Sequence, residues 1–156
     1  MGIIVLLVVA YIVCPVTSAQ ASCDQAGFSV AVSEANAVLT GMNQRNKKAL
    51  HEKLQTLKAR SGWGDADYIA KAATLVKDER TIEMDGRNKT LLDEVSKLGA
   101  GETPGDEARC AILERLKGLL SEVVQNTDKK WRHIHQKADA SLNSATPGFA
   151  TANTAK

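Results

Sequence analysis

The chain has 156 residues, of which 44% are hydrophobic, 24% charged and 4% aromatic, and its formal net charge is +2. That length holds one domain and a tail rather than several domains. So small a charge gives no ground for a nucleic-acid or anionic-membrane partner, and no nucleic acid is expected. A core poor in rings and rich in Ala, Leu, Val and Ile suits packed helices better than a β-sandwich.

The first element is a leader. Residues 2–13 form one apolar run, followed by Cys14, Pro15 and the small-x-small site Ala19-Gln20-Ala21. The run is too short to span a bilayer, which takes about 20 apolar residues. It reads as a signal peptide over residues 1–21, cleaved to leave Ser22 first, although no Lys or Arg precedes the run. The residues before Cys23 make it a poor lipoprotein site. Thr-Ala-Asn-Thr-Ala-Lys at the end reads neither as a lipid-anchor tail nor as an ER-retention signal. The mature protein is therefore expected to be secreted, or periplasmic in a bacterium, with no integral membrane segment. Cys14 leaves with the leader. The two cysteines that remain, Cys23 and Cys110, are expected to form one disulfide in an oxidising compartment.

Three long helices follow. The first is expected from about Asp24 to Arg60 on Phe28, Val32, Ala35, Leu39, Met42, Leu50, Leu54 and Leu57, spaced by threes and fours except across residues 45–48. Ser61-Gly62-Trp63-Gly64 ends it, Gly being the usual residue just past a helix. Asp65 or Asp67 can cap the second helix, expected from about Ala66 to Leu98 on Ile69, Ala73, Val76, Met84, Leu91, Val95 and Leu98. Asp85-Gly86 is a turn signal in its middle. One continuous helix is preferred over a break there, because the seam resumes in phase. Residues 99–105 form the clearest loop, with Thr103 as N-cap and Pro104 at the first helical position of the third helix. That helix runs to about Leu142 on Leu113, Leu116, Leu120, Val123, Trp131, Ile134 and Ala138. Residues 143–156 carry too little apolar surface to offset the entropy of ordering and are expected to be disordered.

The simplest fold is an all-α, up-down-up three-helix bundle over residues 22–142. Its parity places Cys23 and Cys110 at the same end, as a disulfide requires.

The candidate sites are few. His133 and His135 stand at i and i+2, about 200° apart on a helix, so they do not form a metal pair and no metal is expected. Lys129, Lys130, Arg132, His133, His135 and Lys137 form a basic cluster around Trp131. It is read first as a cationic helix end complementing the dipole, and secondly as a patch for an anionic partner on Lys129, Lys130, Trp131, Arg132, His133 and Lys137. Asn46, Arg80 and Thr127, with Glu79 and Glu83 beside them, fall at one height and suggest a polar layer that sets register or lines a small pocket. Asp65, Asp67, Asp106 and Glu107 lack calcium-loop spacing. Asn88-Lys89-Thr90 is an N-glycosylation sequon, which matters if Asn88 is exposed. There is no Gly-rich phosphate loop and no nucleophile in a recognisable local motif, so no cofactor and no catalysis are expected. The residues identify no family. The reading is a small secreted, non-enzymatic helical module that meets an extracellular protein or surface. Its alternative is a secreted carrier of a small apolar or anionic ligand held between helices.

Overall fold

Asp24 sets the start of the first helix. Its backbone is extended, and its Oδ1 accepts the Gly27 N–H at 3.0 Å, satisfying one of the four amides that a helix start leaves open. The computed structural model describes residues 23–98 and 105–145. Those residues form four helices: α1 (Gln25–Ser61), α2 (Asp65–Val76), α3 (Glu79–Leu98) and α4 (Asp106–Ser144). The structure is all-helical, and no strand occurs among the described residues. The expected leader, the Thr103-Pro104 helix start and most of the C-terminal tail lie outside them.

Gly62 closes α1 as the sequence predicts. Its φ of 64° is left-handed, and both its own N–H and that of Trp63 return to the Lys58 carbonyl. A residue with a Cβ is strained there.

The second helix departs from expectation. It is broken, and the break is not at Asp85-Gly86, which lies inside α3 with open space around Gly86. Lys77 is extended, with φ −121° and ψ 107°, and Asp78 starts the next helix. Asp78 Oδ1 accepts the Thr81 N–H at 2.9 Å, and Thr81 Oγ1 accepts the Asp78 N–H at 2.8 Å. This reciprocal pair is a capping box with Thr in place of Glu, and Thr81 is only 1% exposed.

The break resets the helical phase. The expected seam residues Ile69, Ala73 and Val76 face outward, Ile69 being 69% exposed. The inward face of α2 is instead Tyr68, Ala72 and Leu75. Leu75 and Leu91 would lie about 160° apart on one unbroken helix. The extended Lys77 lets both face the core.

α4 is the central element. α1 and α3 each lie along it and scarcely meet one another. All seven residues expected on its seam are buried, together with Leu119. Near its start, Leu113, Leu116 and Leu120 meet Ala31, Phe28 and Ala35 of α1, with Val95 and Leu98 of α3. In its middle, Leu119 and Val123 meet Leu91 and Leu39. Toward its end, Trp131, Ile134 and Ala138 meet Leu50, Leu54 and Leu57 of α1 and Leu75 of α2, with Trp63, Tyr68 and Ala72 around them. Each fully buried Leu contributes about 1.5–3 kcal/mol relative to exposure.

The order of these contacts sets direction. Cys23 and Cys110 are disulfide-bonded with Cα atoms 4.9 Å apart across 87 positions of chain. Further along, Lys53 pairs with Asp139, and Arg60 reaches the Leu142 carbonyl. α1 and α4 therefore ascend together. α3 descends along α4 through Arg87–Glu122 and Glu94–Arg115. α4 begins at Asp106 with Gly105 as its cap, and it continues through Ser144. Residues 143 and 144, expected in a disordered tail, are thus helical.

Candidate functional site

The basic run of α4 is not one surface. At about 100° per residue its members turn to different neighbours. Lys130 pairs with Asp85 of α3, and Arg132 with Asp128 of its own helix at 2.9 Å. Lys137 Nζ lies 2.7 Å from Asp78 Oδ2 and donates also to the Thr74 carbonyl at 2.9 Å. His133 Nε2 meets the same carboxyl oxygen at 2.8 Å. Trp131 is buried, and its indole N–H donates to Asn43 Oδ1 at 2.8 Å. Lys129 is exposed. The residues expected to face an anionic partner thus mainly tie α4 to the helices around it.

Asp78 is the centre of the largest of these ties. Hydrogen bonds from Lys137 and then His133, with the Thr81 amide, hold its carboxyl far below the usual carboxylate range. One side chain therefore caps α3 and clamps the α2–α3 break onto α4.

The expected polar layer exists with different members. Asn46 accepts from His135 Nε2 at 2.9 Å and donates to the Met42 carbonyl at 2.8 Å. Because Asn46 presents Oδ1, His135 carries its proton on Nε2, which leaves Nδ1 buried without a partner. Burial lowers the His135 pKa, the Lys53 charge adds to this, and Asp139 opposes it. Arg80 is exposed and takes no part, and Glu79 and Glu83 are exposed as well. Across the α3 seam Asn88 replaces it. Asn88 Nδ2 donates to Thr127 Oγ1 at 3.0 Å, and Asn126 Nδ2 donates to Asn88 Oδ1 at 2.8 Å and to the Met84 carbonyl at 2.7 Å. The sequon asparagine is therefore half-buried, and the nitrogen a glycan would occupy is held between helices. These bonds fix the register of α1 and α3 on α4.

His133 and His135 face α3 and α1 respectively, and among the described residues no three His, Cys, Asp or Glu side chains gather as a metal site. Asp65 and Asp67 lie in the first turn of α2 behind Gly64, which is the actual cap. Asp65 pairs with Lys58, whose hydrogen bond and charge lower its pKa. Asp106 pairs with Arg109 in the first turn of α4.

The feature best shaped for a ligand was not foreseen. Between the first half of α1 and the last turns of α3 lies a slot of about 570 Å³, open on one side. Leu116 of α4 is its floor. Phe28 and Val32 form one wall, and Val95 and Leu98 the other. Gln25, Ser29, Ser33 and Asn36 run along its α1 rim. The slot follows from the packing: α1 and α3 both seat on α4 and leave the space between them unfilled. Toward the other end α2 occupies the corresponding position, and a smaller hollow of about 300 Å³ remains among Ser61, Thr74, Ser141 and Ser144. A sequence signal for the slot exists in retrospect. Gln25, Ser29, Ser33 and Asn36 repeat at helical spacing directly beside the Phe28–Val32 seam, so one margin of that seam is neutral rather than charged.

No protein-family model, no curated protein and no solved structure matches the chain.

Proposed function

We propose that this chain is a secreted, non-enzymatic helical binding protein, an up-down-up bundle with a broken middle leg, whose ligand sits in the slot between α1 and α3. The slot itself carries this reading. Its volume lies within the roughly 300–1,000 Å³ of small-molecule sites, and its walls and floor are apolar with a polar margin. Of the two expectations, it favours a small-ligand carrier over a module recognising an anionic surface. The histidines, Lys137 and Asp78 hold helices together, which supports binding rather than catalysis. The leader and the Cys23–Cys110 bond support secretion, and no helix among the described residues is long and apolar enough to cross a membrane.

The test is displacement of an apolar fluorescent reporter from the secreted, disulfide-bonded protein. The reporter should bind with one-to-one stoichiometry, and Val32→Trp, which fills the slot, should abolish binding without lowering Tm. A reporter that binds equally to the filled variant would remove the slot from the account. Intact mass should place Ser22 first.

A second reading keeps the protein-interaction module. α2 has apolar residues on both faces, and Ile69 and Val76 stand exposed on the outer one. Under this reading Ile69→Lys, not Val32→Trp, would release a bound protein.

A further inference from the structure

We infer that the slot selects a neutral amphiphile: an elongated apolar body with a hydroxyl or amide edge, as in a monoacylglycerol, a long-chain alcohol or a sterol. This rests on the slot being the binding site. It adds the chemical class of the ligand, and it separates that class from the fatty-acid anion of similar shape.

Nine side chains among the described residues line the slot, and none of these nine is Asp, Glu, Lys, Arg or His, in a chain that is 24% charged. A charged head group drawn in against Leu116, Val95 and Leu98 would lose water with no counter-charge among these nine to replace it, which is far costlier than losing water from a hydroxyl that finds a partner.

Gln25, Ser29, Ser33 and Asn36 advance along α1 by four, four and three residues, a ladder about 16 Å long. All four are exposed beside the slot. Ser33 donates to the Val30 carbonyl, so its oxygen remains an acceptor. Gln25 and Asn36 each offer donors and an acceptor. A ligand with its apolar face on Val32, Val95 and Leu116 would turn an uncharged polar edge to this ladder.

The charge around the slot's disulfide end also disfavours an anion. Helix N-termini ordinarily attract anions. Here α1 begins with Asp24, whose own carboxylate takes the Gly27 amide, and α4 begins with Asp106 and Glu107. The C-terminus of α3 reaches the same end and adds its negative dipole, offset by Lys97 in its last turn. Arg109 is paired with Asp106. Asp24 takes an amide that would otherwise receive a carboxylate, and Asp106 and Glu107 add negative charge in the first turn of α4.

The experiment is a displacement series on the secreted, disulfide-bonded protein at neutral pH. The probes are a monoacylglycerol, the fatty acid and the alkyl trimethylammonium of equal chain length, and a sterol, with sedimentation run in parallel. The monoacylglycerol or the sterol should bind at least about tenfold more tightly than either ion, the fold expected of one poorly compensated charge. Ser29→Ala with Ser33→Ala should shrink that preference while leaving the helical signal and Tm unchanged. If the fatty acid or the ammonium binds as tightly as the neutral probes, the assignment of ligand class is overturned while the slot remains the site. If no probe binds, both readings fall. A dimer that Val32→Glu splits into monomers overturns both as well, because the slot is then an interface between copies.

Discussion

The two ends of α4 are built by different means. At the α2 end α1, α2 and α4 meet with Trp63 of the α1–α2 connection, and Trp131, Ile134 and Ala138 sink among Leu50, Leu54, Leu57 and Leu75. Ala138 is 0% exposed, so no space is left at that contact. At the disulfide end α1 and α3 flank α4, Val32 is 47% exposed, and the Cys23–Cys110 bond joins α1 to α4. One end is held by buried area and the other partly by a covalent link. The disulfide lets that end stay ordered with a thinner core.

Substitutions at the two ends sharpen this contrast. The largest loss is expected from Trp131→Ala. It removes the largest ring of the α2-end core and the bond to Asn43, and it should cost about 3–5 kcal/mol in denaturant unfolding. An unchanged midpoint would mean that this end is not the main source of stability. Cys110→Ala should cost less, about 2–4 kcal/mol, below the chain-entropy limit for so long a loop. The two losses should also differ in place. Hydrogen exchange in the cysteine variant should quicken first over residues 25–36 and 106–116, and only later around Leu57 and Ile134. Uniform quickening would erase the distinction between the ends.

Asp78→Ala should lower Tm by less than either, since it unties the α2–α3 break from Lys137 and His133. The associated pH dependence has a definite sign. The folded carboxyl titrates below its ordinary value of 3.8, so its contribution is present above that pH and is lost as pH falls toward the folded value. Acid titration of Tm should therefore be flatter below pH 3.8 in the variant than in the parent. Gly86→Ala lies mid-helix on an exposed face with open space around it, and it should stabilise by about 0.5–1 kcal/mol. A loss there would mean that α3 is interrupted at Asp85-Gly86 after all. The smallest effect is expected from Val32→Ala, within about 0.5 kcal/mol, against about 2–5 kcal/mol for Leu54→Ala on the same helix. Equal losses would mean that the slot is closed in solution.

The residues show why some of this was legible and some was not. The α4 seam was readable in full because the helix is uninterrupted and packed on two sides, so periodicity alone marks its buried residues. α1 was readable except around Val32, which is 47% exposed on the slot while its neighbour Ala31, not on the expected seam, is buried. In α2 every seam residue was displaced by one. The cause is the assumption of a continuous helix, which carries the phase of Leu91 and Val95 backward through Lys77. Asp78-Glu79-Arg80-Thr81 carries a helix-start signal in the spacing of Asp78 and Thr81, whereas Asp85-Gly86 is a turn signal that the helix tolerates. The basic cluster misled for a related reason: adjacency along a helix is not adjacency in space.

The sequence by itself determined the helical class, the stop at Gly62, the buried face of α4 and the pairing of Cys23 with Cys110. Each depends on local propensity, on periodicity or on the expectation that Cys14 leaves with the leader, all of which are read along one segment at a time. The tertiary structure alone decided which way α2 faces, which partners His133, Lys137 and Asn88 take, and that a slot remains between α1 and α3. Those outcomes depend on how three helices share the surface of a fourth. Interhelical distance is set by the sum of all the packing contacts, so no single segment encodes it.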